Sequence, residues 1–157
     1  MPESPKVFIS YSHQNAEYEN KVLNFANKLR SEGIDANVDL YEEAPTEGWP
    51  RWMENQIRVA DFVLVINSKS YYDKCYSDIK GKGVSWEVNI VYQHIYDANS
   101  ENTKFIPVFF EEDDIQYILT PLKPFTYYNI GTEEGYEKLY WRLRGVTQTH
   151  KPPLGKL

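Results

Sequence analysis

The chain has 157 residues, of which 41% are hydrophobic, 15% aromatic and 25% charged, and this composition predicts one globular domain with a substantial core. The net charge of -6 and the lack of a basic run disfavour a nucleic-acid groove, which needs clustered Lys and Arg. The single cysteine, Cys75, excludes an internal disulfide, and three scattered histidines disfavour a metal site. Because no stretch has the length of a transmembrane helix and no signal pattern opens the chain, we expect a cytoplasmic domain with no metal, no bound cofactor and no membrane span.

Five short segments predict β-strands. The first, Val7 to Tyr11, opens with a short apolar run and is predicted to be central, and the third, Phe62 to Ile66, is continuously apolar, as in a strand buried on both faces. The second alternates Ile34, Ala36 and Val38 with polar residues, which predicts an edge strand. The remaining two predicted strands are residues 105–110 and 127–128.

Four amphipathic helices are predicted from apolar residues at helical spacing. Asn15 is a favourable N-cap for the first of them, and Gly33 is a favourable end. Pro50 suits the first turn of the second. The apolar stripes are Tyr18–Val22–Phe25–Ala26–Leu29, Trp52–Met53–Gln56–Ile57–Ala60, Val84–Val88–Val91–Ile95 and Tyr136–Leu139–Tyr140–Leu143.

Several segments depart from these two patterns. Residues 39–50 form a loop too long for a simple connector, which indicates a functional loop. Residues 71–83 are polar and are predicted to be irregular, and residues 111–114 are predicted to be a solvated acidic loop. Pro107 inside the fourth strand predicts an edge or a bulge, since proline cannot donate a ladder hydrogen bond.

Strands that alternate with helices predict a mainly parallel sheet covered on both faces. With the first strand central and the second at an edge, the fold class is α/β, a flavodoxin-like three-layer fold with five strands in the order 2-1-3-4-5. We divide the chain into an N-terminal tail (1–5), the domain (6–147) and a C-terminal tail or start of a linker (148–157). The tail suggests one module of a longer protein.

A candidate site follows from this topology, because ligands of open α/β sheets bind outside the carboxyl ends of the strands. Small and polar residues end the first strand, and Asn67 and Ser68 end the third. The loop 39–50 and the helix that carries Trp86 and Glu87 can approach the same edge. The pocket so formed holds hydroxyls, aromatic faces and one carboxylate, and the chain has neither a GxGxxG fingerprint nor a Walker A sequence.

The order of several motifs resembles TIR domains and, in particular, their SEFIR relatives, over roughly residues 6 to 145. The motifs are Val7-Phe8-Ile9-Ser10-Tyr11-Ser12, Gly48-Trp49-Pro50-Arg51-Trp52-Met53, Ala60-Asp61-Phe62-Val63-Leu64-Val65-Ile66, Gly83-Val84-Ser85-Trp86-Glu87, Phe105-Ile106-Pro107-Val108 and Leu139-Tyr140-Trp141-Arg142-Leu143. Each motif is weak alone, and their joint order and spacing make the resemblance fairly specific.

The resemblance implies two different functions. Many TIR domains of bacteria and plants cleave NAD with a glutamate in the helix after strand three, and Glu87 matches that position. The family often places an aromatic residue or a cysteine several residues earlier, whereas here Trp86 is adjacent. Receptor and adaptor members are assembly modules instead. The residues that the NAD interpretation assigns to substrate binding are Ser10, Tyr11, Ser12, Asp39, Trp49, Arg51, Asn67, Ser68 and Trp86.

Three hypotheses follow. The first is an NAD glycohydrolase or ADP-ribosyl cyclase that acts as an effector in bacterial antiviral immunity, fused to a sensor domain and activated by self-association through loop 39–50 and neighbouring helices. The second is a non-enzymatic module that binds other TIR or SEFIR domains. The third is a nucleoside-processing enzyme like the deoxyribosyltransferases. Apart from the resemblance, the spacing favours a solvated Glu87, a carboxylate stabilised near a helix N-terminus.

Overall fold

The computed structural model describes residues 4–76, 86–98 and 101–157. Five strands form one sheet: β1 (Lys6–Ser10), β2 (Asp35–Asn37), β3 (Phe62–Ile66), β4 (Phe105–Phe109) and β5 (Tyr128–Asn129). Their order is β2-β1-β3-β4-β5, and all four neighbouring pairs are parallel. The predicted flavodoxin-like order is therefore confirmed, with the last strand one residue later than predicted.

Five α-helices cover the two faces of this sheet: α1 (Ala16–Ser31), α2 (Trp49–Val59), α3 (Lys69–Tyr76), α4 (Trp86–Ala98) and α5 (Glu133–Leu143). Short 3-10 turns follow at Asp39–Tyr41, Glu112–Tyr117 and Thr120–Leu122. None of the described helices combines the length and the apolar character needed to cross a bilayer. Val84, which the sequence assigns to the α4 stripe, lies outside the described residues.

Alternation along β1 separates the core into two layers. Val7 and Ile9 pack with α1 and α5, whereas Phe8 packs with α2, α3 and α4. β3 continues the pattern, with Leu64 in the first layer and Val65 in the second. Both faces of the central strands are thus buried, which is why residues 7–9 and 62–66 are uninterrupted apolar runs.

The ends of α1 lie where the sequence places them. Asn15 precedes the helix, and its side-chain Oδ1 accepts a hydrogen bond from the Tyr18 amide at 2.8 Å. Gly33 has a φ of 90°, a left-handed conformation that glycine adopts without a steric penalty. The amide of Ile34 then donates to the Leu29 carbonyl at 3.0 Å, which closes the helix end and leads into β2.

The prediction that residues 71–83 are irregular is wrong over the first part of that range, because residues 71–76 belong to α3. Ser68 caps this helix, since its Oγ accepts a hydrogen bond from the Tyr71 amide at 3.1 Å. Tyr71 is fully buried and fixes the helix against the sheet. Because polar residues surround Tyr71 in the sequence, this single buried side chain produces no apolar repeat at helical spacing. Residues 77–83 lie outside the described part.

Pro107 was predicted at an edge or a bulge, and this is wrong because β4 lies between β3 and β5. The carbonyls of Lys104 and Val108 accept hydrogen bonds from the β3 side, and that of Phe109 accepts one from Ile130 on the β5 side. By this alternation the nitrogen of Pro107 faces the β5 side. Pairing with β5 begins only at Val108, so the missing N–H removes no ladder hydrogen bond.

Candidate functional site at the carboxyl ends of the strands

The polar residues that end β1 are buried and already paired within the chain. Ser10 Oγ lies 2.8 Å from Tyr71 Oη, and Ser12 Oγ lies 2.6 Å from Ser70 Oγ. Ser10 is 4% exposed and Ser12 is 1% exposed. These hydrogen bonds join the end of β1 to the first turn of α3, and burial leaves little of either hydroxyl accessible to a ligand.

Asn67 forms the corresponding junction at the end of β3. Its Nδ2 donates to the carbonyls of Val65 and Val108 at 3.0 and 3.2 Å, and its Oδ1 accepts from the Leu119 amide at 3.2 Å. The side chain is completely buried. Asn67 thus satisfies three backbone groups of three segments, and the neighbouring Ser68 caps α3.

His13, just beyond β1, holds two carboxylates at the mouth of the crevice. Its Nδ1 lies 2.7 Å from Glu19 Oε1 on α1, and its Nε2 lies 2.8 Å from Asp39 Oδ2 at the start of loop 39–50. The hydrogen bond with Asp39 is the main reason that the His13 pKa is raised to about 9, while partial burial opposes the shift. The imidazole is therefore protonated at neutral pH and forms an ion pair on each side.

Tyr11 lies beneath this pair, with its ring centroid 4.6 Å from that of His13. Burial raises the pKa of Tyr11 far above its ordinary value, and the negative charges of Asp39, Glu19 and Glu87 raise it further. The phenol consequently stays neutral. Asp39 Oδ1 is buried and has no hydrogen-bond partner among the described residues. Within the same ranges, no group of three or more His, Cys, Asp or Glu side chains is arranged to hold a metal ion.

Glu87 occupies the first turn of α4 and is half-buried. Its charge contributes to the raised pKa values of Tyr11, His13 and Tyr71, so the carboxylate lies close to the ends of β1 and the start of α3. Trp86, the preceding residue, is 39% exposed. Ser85 lies outside the described residues.

The two candidates at the start of α2 differ in their surroundings. Trp49 is half-buried and meets Trp52 edge to face, with ring centroids 5.5 Å apart. Arg51 is exposed and lines a groove between α2 and α4. The structure thus brings Ser10, Tyr11, Ser12, Asp39, Asn67, Ser68 and Glu87 to one edge of the sheet and places Arg51 on another surface.

Three residues of this edge were not singled out from the sequence: Glu19, Ser70 and Tyr71. His13 was expected at this edge as a solvated side chain, whereas the structure pairs it with two carboxylates. Ser68 followed by a run without proline is an N-cap signal that could have placed α3 and hence Ser70 and Tyr71. The contacts of His13 have no such signal, because Asp39 is 26 positions away in sequence.

An all-parallel five-stranded sheet of this order, with helices on both faces, defines a flavodoxin-like α/β domain. The SEFIR domain family model matches residues 5–140. The chain therefore belongs to the SEFIR family, and it is a signalling module of the SEFIR/TIR kind.

Two solved structures illustrate the similarity. A crystal structure of a prokaryotic SEFIR domain is 31% identical, with a TM-score of 0.70, over 98% of this chain and 100% of the other. The TIR domain of the Toll-related receptor TRR-2 from Hydra magnipapillata is 15% identical, with a TM-score of 0.60, over 90% of this chain and 99% of the other. The second likeness shows the fold alone. None of the curated proteins matches.

Proposed function

We propose that this SEFIR domain transmits signals by binding other SEFIR or TIR domains, including further copies of itself. The observation that carries this proposal is the internal pairing of the strand-end groups. Ser10, Ser12 and Asn67 are buried, and each is hydrogen-bonded to another part of the chain. Because the hydrogen bonds of these side chains join elements of the fold, the side chains favour a binding module over a substrate pocket.

Sedimentation velocity over a wide range of protein concentration tests this function. The proposal expects the weight-average mass to rise reversibly with concentration, with Glu87→Gln behaving like the wild type. A chain that stays monomeric at every concentration contradicts the proposed function.

A second candidate function is NAD cleavage, and the position of Glu87 favours it. The carboxylate lies close to Tyr11, His13 and Tyr71, at the sheet edge where ligands of this fold class bind. In this proposal Glu87 holds the ribose hydroxyls and stabilises the positive charge that develops on the ribose. The bond between ribose and nicotinamide breaks, nicotinamide leaves as a neutral molecule, and water or an adenine nitrogen bonds to the ribose carbon in its place. One carboxylate therefore suffices where ordinary glycoside hydrolysis uses two. Tyr11, Trp49 or Trp86 supplies an aromatic face.

Chromatography of NAD and its products separates the two functions. Protein clustered on a support is compared with Glu87→Gln and with Glu137→Gln, a matched change of an exposed glutamate on α5. Enzyme activity requires that nicotinamide appears with the wild type and Glu137→Gln and is lost in Glu87→Gln. Intact NAD with an assembled wild-type protein rejects the catalytic proposal and leaves the binding function in place.

A further inference from the structure

A groove of about 810 Å³ lies between α2 and α4 and extends to the first residue of β4. Its apolar wall includes Ile57, Ile90 and Phe105, and Pro50 lies at the end near the start of α2. We call this surface the α2–α4 groove. An open groove with an apolar wall is the form of site that accepts a segment of another protein.

Three cations line the α2–α4 groove, although the chain as a whole carries a net charge of -6. Arg51 and Arg58 are exposed, and Lys104 is partly buried, which lowers its pKa. Arg58 donates to the amide oxygen of Asn55, and Lys104 donates to the carbonyl of Arg58. In the described ranges, none of the three forms an ion pair with a carboxylate of this chain, so their charge is available to a partner.

The groove also contains one internal ion pair. His94 Nε2 lies 2.8 Å from Glu54 Oε2, and both side chains are partly exposed. Asp61 lies close enough to Lys104 to oppose part of the effect of burial on its pKa. These carboxylates reduce the positive potential of the groove and leave it cationic.

An acidic surface lies at the other end of β4. The turn Glu111–Asp114 begins two residues after the strand ends, and its first three side chains are exposed. Burial and the neighbouring charges of Glu111 and Asp113 raise the pKa of Asp114. Lys21, at 3.6 Å from Glu111, is the single cation in ion-pair contact with the turn among the described residues. We call this segment the acidic turn.

We propose that the α2–α4 groove of one molecule binds the acidic turn of a second copy of this chain. The inference rests on the proposed homotypic function and identifies its two surfaces. Three groove cations face three exposed carboxylates, and this complementarity opposes the repulsion between two molecules of the same negative net charge. No other described element supplies an equally concentrated run of exposed carboxylates.

The two surfaces lie at opposite ends of β4, so the contact joins different patches of the two molecules. Such a heterologous contact leaves one free groove and one free turn on every pair, and it can repeat into an open chain or a ring. Assembly is therefore expected to increase with concentration and to weaken as salt screens the charges.

Charge reversal tests the inference by sedimentation velocity. The groove variant is Arg58→Glu with Lys104→Glu, and the turn variant is Glu112→Lys with Asp113→Lys. Each is expected to raise the dissociation constant of self-association at least about tenfold. The matched controls, Lys138→Glu with Lys151→Glu and Glu134→Lys with Glu137→Lys, change the net charge equally at exposed sites away from both surfaces and should leave association unchanged.

A mixture of the two variants provides the sharper test. The wild-type turn of the groove variant fits the wild-type groove of the turn variant, and the acidic groove of the first attracts the basic turn of the second, so the mixture should regain the association that each variant alone has lost. Circular dichroism melting checks that each variant is folded. If one is not, the single changes Arg58→Glu and Asp113→Lys replace it.

The results of these experiments distinguish failure of the groove-to-turn contact from failure of the proposed binding function. Variants that associate as the wild type does, or a mixture that stays monomeric, overturn the groove-to-turn contact while self-association of the wild type still supports the binding function. Association that survives both variants and is lost in Glu43→Lys assigns the contact to loop 39–50 instead. A wild type that never associates contradicts both.

Discussion

His13 Nε2 lies 2.8 Å from Asp39 Oδ2, and this ion pair fastens the start of loop 39–50 to the end of β1. Through Nδ1 the same ring also holds Glu19 on α1 at 2.7 Å. One protonated imidazole therefore sets the position of a loop, a helix and a strand end, all at the edge of the sheet where Glu87 lies.

Stability should depend on the titration of His13. Its pKa is about 9 in the folded chain and 6.5 when unperturbed, so its stabilisation is full below pH 6.5 and is lost as the pH rises through 9. Because the side chain is 38% exposed, water screens the ion pairs and the loss is about 1 kcal/mol. Urea unfolding at a series of pH values measures it. His13→Gln should remove the decline over this range, and an unchanged decline in that variant contradicts the assignment.

Glu87→Gln should lower the pKa of His13, because it removes a negative charge that favours the imidazolium. The expected shift is small, since Asp39 and Glu19 remain. An NMR titration of the imidazole measures it, with Glu137→Gln on α5 as the control that should leave the pKa unchanged. Equal pKa values in all three proteins would place Glu87 away from the crevice, whatever its role with NAD.

The strand order was predictable because its signals are local. The continuous apolar run Phe62–Ile66 marks a strand buried on both faces, and the alternation around Ala36 marks an edge. Helix ends at Asn15 and Gly33 carry residue-specific chemistry. Handedness and short connections then leave few topologies for five such strands.

The details of the site depend on pairs that are distant in sequence. Ser10 meets Tyr71 over 61 positions, and Asn67 meets Leu119 over 52. Neither partner has a distinctive pattern, and a tyrosine in a polar segment is read from sequence as a surface residue. Sequence therefore predicts which edge of the sheet is polar, whereas the structure shows which of its groups are already paired.

The hydrogen bond between Ser10 Oγ and Tyr71 Oη should contribute to stability, because removing one partner leaves the other hydroxyl buried and unpaired. Both residues are buried, so Tyr71→Phe leaves the Ser10 hydroxyl without its partner and should destabilise the fold by about 1–3 kcal/mol. Ser10→Ala together with Tyr71→Phe removes both polar groups and should cost less than the sum of the single changes. Additive values from urea unfolding would contradict a direct hydrogen bond.

Asn67→Ala should also destabilise the fold, since it removes a buried amide that bonds the backbone of three segments. The carbonyls of Val65 and Val108 and the amide of Leu119 would lose their side-chain hydrogen bonds. We expect a loss of about 1–3 kcal/mol in the free energy of unfolding, chiefly from the Leu119 amide, because the Val108 carbonyl keeps its hydrogen bond with the backbone amide of residue 67 at 2.8 Å. Asn55→Ala on α2, where the amide oxygen accepts from the exposed Arg58, is the matched control and should change stability by less than about 1 kcal/mol. Comparable losses in the two variants would mean that water satisfies the groups around Asn67, and the junction between β3, β4 and the Thr120–Leu122 turn would then be open to a ligand.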